Sequence, residues 1–217
     1  MKLIIWDFDG TLADTRPIIE AGMDHALRGL GLPTTVRAEW LKYVGLPVED
    51  GINRTFGPLG LSLETVLPVY RSYPHADNEH LITGFEGMTE LLMELKALGM
   101  PMAVASSKRG GPLRRQIIAL GWEGLFNPIV TPDEVKLGKP DPESLAICLA
   151  AHGLRPEDAV MVGDTPFDLD MAQRAQVPSI GVGHGFYGQE ALEAWNPLAY
   201  ASDTAALRDI LLAWSRS

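Results

Sequence analysis

The sequence predicts an α/β fold: a parallel sheet flanked by helices, with a small helical unit inserted after the first strand. Three observations carry this. Five short apolar runs show no polar alternation, the pattern of strands buried on both faces of a parallel sheet. Amphipathic helix patterns lie between most of these runs. Residues 15–80 contain no strand run and read as helices throughout. The expected division is therefore a core of residues 1–14 and 81–217 and a helical unit of residues 15–80.

The first run, Leu3-Ile4-Ile5-Trp6, ends in Asp7-Phe8-Asp9-Gly10-Thr11. Within the inserted unit, Ile18 to Leu30, Val36 to Val44 and Leu63 to Tyr73 carry helical spacing. Gly31-Leu32-Pro33, Gly45-Leu46-Pro47 and Gly57-Pro58 punctuate it. Residues 87–98 place Met88, Leu91, Leu92, Leu95 and Leu98 at helical spacing, and Gly99 fits a helix stop. The second run, Met102 to Ala105, ends in Ser106-Ser107-Lys108, and a helix is expected over 112–120. The third, Ile129-Val130, precedes a helix over 142–152. The fourth, Ala159 to Val162, ends in Gly163-Asp164 and is followed by a helix over 166–175. The fifth, Ser179 to Val182, ends in Gly183-His184-Gly185, and a last helix runs from about Ala205 to Trp214. Pro142 and Pro156 sit where a first helical turn accepts proline.

The composition excludes several classes. The chain has 217 residues, 46% hydrophobic and 21% charged, which is ordinary for a folded globular protein. A formal charge of −10 provides no bulk basic footprint, so no nucleic-acid partner is expected. The single cysteine, Cys148, cannot form an intrachain disulfide, and its apolar helical context reads as buried core. Residues 1–6 form too short an apolar run for a signal peptide, and no stretch approaches membrane-spanning length. A cytoplasmic protein without membrane association is the expectation, as monomer or homodimer.

The chemistry-bearing residues gather at one place. In open parallel sheets, ligands bind beyond the carboxyl ends of the strands. Asp7 and Asp9 follow the first run, with Gly10 allowing the turn to curl back. Ser106 follows the second, Lys139 stands in Gly138-Lys139-Pro140, and Asp164 and Asp168 follow the fourth. Close carboxylates can bind a hard divalent cation, or divide into a nucleophile and an acid/base. Hydroxyl and ammonium groups can bind phosphoryl oxygens. Together they form a kit for phosphoryl transfer.

Asp7-x-Asp9-Gly10-Thr11, Ser106, Lys139 and Gly163-Asp164-x-x-x-Asp168 match, in order and spacing, four motifs of one family. The chain resembles the haloacid dehalogenase-like hydrolase superfamily, close to its phosphoglycolate phosphatase-like group. The resemblance spans essentially the whole sequence. It implies a Rossmann-like α/β core, with the inserted helices acting as a cap. It further implies that Asp7 is the nucleophile forming an aspartyl-phosphate, with Asp9 as general acid and then general base. Mg²⁺ would be held by Asp7, the main-chain carbonyl of Asp9 and Asp164, with Asp168 supporting the metal shell or its waters. Ser106 would bind a phosphoryl oxygen, and Lys139 would offset the carboxylate charge and orient Asp7.

Within that family, Asp9 favours phosphate esters over alkyl halides, because an alkoxide needs a proton on leaving and a halide does not. Lys42, the one lysine of the inserted unit, has no context that singles it out for Schiff-base chemistry. The expected substrate is a small phosphorylated metabolite, phosphoglycolate-like or a sugar phosphate. The alternatives are a phosphomutase of the β-phosphoglucomutase kind and a non-catalytic regulatory protein. Thr11, Ser107, Gly45 and Arg54 are the expected substrate contacts. Gly45-Leu46-Pro47 resembles the cap loop that dips toward the site, and Arg54 or Arg16 could pair with a substrate carboxylate. Lys108 could reach the substrate or the cap, or be a solvated lysine. His184 lies on the active edge as either a rim contact or loop structure. Trp40, Tyr43, Tyr70 and Tyr73 read as cap core, and Trp6, Met88 and Met93 as core.

Overall fold

The structure is a computed structural model and describes residues 2–216. Six parallel strands form the central sheet: β1 (Leu3–Trp6), β4 (Met102–Ala105), β5 (Ile129–Val130), β6 (Ala159–Gly163), β7 (Ser179–Val182) and β8 (Ala199–Ala201). Their spatial order is β5-β4-β1-β6-β7-β8, which puts β1 between β4 and β6. A two-stranded antiparallel ribbon, β2 (Ala13–Asp14) with β3 (Thr83–Gly84), stands where the chain leaves and re-enters the sheet layer.

The unbroken apolar runs have a direct physical cause. Side chains alternate across a strand, so a strand covered on both faces needs apolar residues at every position. Ile4 and Trp6 face one core with Val104, Val160 and Leu92, whereas Leu3 and Ile5 face the other with Ala103, Met161 and Leu145. All four residues of β1 are fully buried.

Between β2 and β3 run α1 (Arg16–Gly29), α2 (Val36–Leu41), α3 (Val48–Phe56) and α4 (Leu63–Arg71). They pack on one another around their own apolar cluster, which includes Met23, Leu27, Trp40, Ile52, Phe56 and Val66. The remaining helices are α5 (Met88–Ala97), α6 (Gly110–Ala119), α7 (Glu143–His152), α8 (Pro166–Arg174), α9 (Gln189–Glu193) and α10 (Thr204–Ser215). The five expected strands and their helices are therefore present, and Gly99 follows α5 with a left-handed φ of 69°. Cys148, Trp6 and Met88 are buried as expected. Met93 is not a core residue: it lies on the outer face of α5 and is 45% exposed.

Candidate active site

Asp7 is the first residue beyond β1, and its N–H still donates to Val162 O of β6 (2.9 Å). The sheet ladder thereby fixes the main chain that carries the carboxylate. Asp7 is 2% exposed, Lys139 is 5%, and Asp164 and Asp168 are fully buried. Buried charges persist only where they are paired. The Lys139 ammonium supplies the pairing, donating to Asp7 Oδ1 (2.5 Å) and Asp168 Oδ1 (2.6 Å).

Each remaining carboxylate is held by a separate device. Asp168 is the third residue of α8 and closes a capping box with Thr165. The Thr165 N–H and hydroxyl both donate to Asp168 Oδ2, at 3.1 and 2.7 Å. The sequence therefore uses one aspartate both to start a helix and to face the lysine. Asp164 Oδ1 accepts from the Thr11 hydroxyl (2.9 Å), and its Oδ2 accepts from the Phe186 N–H (2.7 Å). Two glycines make room for it. A Cβ on Gly10, whose φ is +87°, would lie 2.3 Å from Asp164 Oδ2, and one on Gly185 would lie 2.2 Å away.

Asp7, Asp164 and Asp168 each offer an oxygen to a cluster whose atoms lie within 4.8 Å of one another. Asp7 Oδ2 is buried and has no hydrogen-bond partner among the described residues. Clustered hard oxygens with one lone pair unclaimed match the donor set of a divalent cation. Burial pushes the Asp7 carboxyl up to about 7, against the pull of Lys139 and with the repulsion of Asp168 and Asp9. Burial raises Asp164 well above the carboxylate range, helped by Asp7 and Asp168. Burial opposes the Lys139 charge, but Asp168 and Asp7 outweigh it and hold its pKa above the ordinary lysine value.

The Asp9 carboxylate is not part of that cluster. It faces Lys108, whose ammonium donates to Asp9 Oδ1 (2.5 Å) and to Gln116 Oε1 (2.7 Å) of α6. Lys108 is fixed from the other end as well, since its N–H donates to the Ser106 hydroxyl (3.2 Å). Lys108 was expected to reach the substrate or the cap, or to be solvated; the structure instead places it on the motif carboxylate of Asp9. Adjacency to Ser106 at a strand end was the one available signal, and Gln116 carried none.

Asp7, Asp9 and Ser106 open into a cavity of about 300 Å³ between the sheet edge and α1, α2 and α4. Gly45 and Ser107 both line it and join the two walls, because the Ser107 hydroxyl donates to Gly45 O (2.7 Å). Gly45 has φ +107°, and a Cβ there would lie 2.8 Å from Thr165 Oγ1. Thr11 lies behind the site, fully buried, with its hydroxyl on Asp164. Arg54 does not line the cavity: it is exposed and lies over the Tyr43 ring at 5.7 Å. Arg16 is also outside it, bonded to Gly185 O (3.2 Å) above the Phe186 ring. Arg71 and Arg109 line it instead.

The aromatic residues of the inserted unit depart from their expected role as core alone. Trp40, Tyr43 and Tyr70 line the cavity, while Tyr73 packs against the sheet-layer core. His184 bonds Thr11 O through Nε2 (3.0 Å) and stacks on Phe85. It faces a separate groove of about 640 Å³ near α5 and α10 that holds none of the motif aspartates.

The chain is similar to known proteins over nearly its whole length. The pyrophosphatase PpaX of Bacillus velezensis is 30% identical over 195 residues, covering 89% of this chain and 88% of its own. A haloacid dehalogenase-like family hydrolase from Streptococcus pneumoniae superposes with a TM-score of 0.83 at 24% identity, covering 99% of this chain and 98% of its own. A protein described as a predicted phosphoglycolate phosphatase from Haemophilus somnus superposes with a TM-score of 0.87 at 22% identity, over 97% and 98% of the two chains. At those identities the two structures show a shared fold. The sequence model of the haloacid dehalogenase-like hydrolases matches residues 4–182, from β1 to the end of β7, and so encloses all four motifs. The chain belongs to that hydrolase family.

Proposed function

We propose that the protein is a Mg²⁺-dependent phosphatase that hydrolyses the monoester of a small phosphorylated metabolite through an aspartyl-phosphate on Asp7. The observation that carries this reading is the pair Asp7 and Asp9 at the floor of one cavity with different partners. Asp7 is held by Lys139 deep in the site, and Asp9 is held by Lys108 at the cavity wall. Two carboxylates in different environments can take different roles.

In the first step an Asp7 oxygen attacks phosphorus, forming the new O–P bond as the ester O–P bond breaks. The Asp9 carboxyl gives its proton to the departing alkoxide. In the second step the Asp9 carboxylate takes a proton from water, which attacks the aspartyl-phosphate. Asp7 is released as carboxylate together with inorganic phosphate. Lys139 orients Asp7 and offsets its charge throughout. Ser106, 6% exposed and on the cavity wall, donates its hydroxyl to a phosphoryl oxygen.

Asp7, Asp164 and Asp168, with the main-chain carbonyl of Asp9, would hold the Mg²⁺. Its double charge would keep Asp7 ionised and draw negative charge from the phosphoryl oxygens. Residues 15–80 act as a cap that shields the first step from water. Gly45, the cap residue bonded to Ser107, ties that unit to the sheet edge.

The test is phosphate release from a panel of phosphomonoesters and pyrophosphate with Mg²⁺, wild type beside Asp7→Asn. Release that needs both Mg²⁺ and Asp7 supports the reading. Release that survives in Asp7→Asn removes the nucleophile. Isomerisation of a sugar phosphate without net phosphate release replaces hydrolysis by mutase chemistry.

A further inference from the structure

We propose that the leaving group this site is built for is uncharged and partly apolar, so that phosphomonoesters with a hydrocarbon or aromatic body are preferred over phosphoglycolate and pyrophosphate. The inference rests on the phosphatase reading and specifies its substrate class.

The first observation is the wall of the cavity. Above the carboxylates it is made by Ile18, Ile19, Val44 and Val48, with the rings of Trp40 and Tyr70. Trp40 and Tyr70 stand with centroids 5.6 Å apart and planes at 50°. Pockets walled by aliphatic and aromatic groups bind apolar bodies and use a few polar groups for orientation.

The second observation is that the arginines on the wall already have anionic partners. Arg71 is on Glu49 (2.7 Å). Arg109 lies 4.0 Å from Asp133, with its side chain 63% exposed. His75 is held below its ordinary pKa chiefly by burial, so it is neutral at pH 7. A second carboxylate or phosphate in this cavity would have to take a cation from its partner, or stay desolvated against apolar walls.

The experiment compares kcat/KM for four compounds with Mg²⁺ at pH 7: ethyl phosphate, 2-phenylethyl phosphate, phosphoglycolate and pyrophosphate. Ethyl and 2-phenylethyl phosphates release alkoxides of similar basicity, so their ratio reads the cavity rather than the chemistry. The expected result is about 10- to 100-fold in favour of 2-phenylethyl phosphate, the burial of one phenyl-sized group expressed as a ratio. It should also exceed phosphoglycolate and pyrophosphate. Val48→Arg, at the partly exposed start of α3, puts a cation on the wall and should move the ratio toward phosphoglycolate by at least about tenfold.

Phosphoglycolate or pyrophosphate turned over faster by wild type overturns the proposal and leaves the phosphatase reading standing. A ratio near one between the two alkyl esters does the same. A ratio unmoved by Val48→Arg overturns the assignment of this cavity to the leaving group. No phosphate from any of the four overturns both readings.

Discussion

Lys139 is the point at which stability and chemistry meet most directly. Its ammonium spans Asp7 and Asp168 at 2.5 and 2.6 Å, and none of the three is more than 5% exposed. Lys139→Met keeps the length of the side chain and removes the charge, leaving two carboxylates facing an apolar methyl. Breaking a buried ion pair from one side costs about 3–5 kcal/mol, because the other side stays buried and uncompensated. For a chain of this size, about 2–4 °C of melting temperature accompanies each kcal/mol, so the variant should melt about 6–20 °C lower. The assay is thermal unfolding in EDTA at pH 5 and pH 8. Lys139 has its folded pKa above its ordinary value, so its contribution is complete at both pH values and is lost only as pH rises through that folded pKa. Asp7 behaves oppositely. Its folded pKa is already about 7 and rises further without the ammonium. The native state then holds a proton that the unfolded chain has released, so stability falls as pH climbs through that interval. The deficit of Lys139→Met should therefore be larger at pH 8 than at pH 5. A variant as stable as wild type at pH 8, or equally weakened at both, would refute this account of the site.

Asp7→Asn should abolish turnover while retaining cooperative unfolding; residual turnover above a few parts in a thousand would remove Asp7 as nucleophile. Asp9→Asn should slow both half-reactions, with the larger loss on esters of the more basic alkoxides, and an equal loss across a leaving-group series would argue against its acid role. Thr11→Val deletes the hydroxyl that fixes Asp164 (2.9 Å) and should weaken Mg²⁺ binding about 10- to 100-fold by calorimetry. Unchanged affinity would mean that Asp164 needs no such support. Exhaustive EDTA treatment should silence the enzyme and added Mg²⁺ restore it, and activity that survives chelation would take the metal out of the scheme.

The fold was legible where a single physical constraint dominated. Burial on both faces left short runs without polar alternation at β1, β4, β6 and β7, and their alternation with helical patterns set the fold class. The elements missed lacked it. β8 is three residues, Ala199-Tyr200-Ala201, at the sheet edge, and the β2 and β3 ribbon is two residues a side. α3 hides between two turn signals and has Gly51 in its interior. That glycine reads as a breaker in sequence, whereas in the fold it admits the Trp40 ring. Met93 failed for a different reason: its apolar character matched the periodicity of α5, but the stripe that faces the core passes through Leu91, Leu92 and Leu95.

Asp7, Asp9, Ser106 and Asp164 were legible because strand ends deliver them to one edge, and Asp168 because it opens the helix that follows β6. Their partners were not. Thr11 was expected to touch substrate and instead orients Asp164, a contact across 153 positions of sequence that no local pattern encodes. Arg54 was chosen for its charge, but its place on α3 turns it onto Tyr43 while Arg71 of α4 reaches the cavity. The aromatic residues show why the choice between core and contact was the wrong one to pose. Trp40 belongs to the apolar cluster of the inserted helices and also walls the cavity, so helical spacing correctly predicts its burial and is silent about its exposed edge.

The same logic explains why the site breaks the rules that make the rest of the chain readable. Aspartate and lysine are seldom fully buried, yet Asp7, Asp164, Asp168 and Lys139 are packed together at the centre of the strand ends. Three carboxylates against one ammonium leave the cluster short of positive charge, and burial answers by pushing Asp7 and Asp164 toward the protonated state. Folding alone does not call for that arrangement, since replacing a buried ion pair with apolar residues of similar volume is often neutral or stabilising. The backbone is nevertheless built around it: Gly10 and Gly185 give up their side chains to admit Asp164, and Gly163 does the same for Asp168. A charge deficit held in place by three glycines, a capping box and a sheet ladder is stability given up locally for a group of opposite charge. The proposed divalent cation is the chemistry that restores the balance.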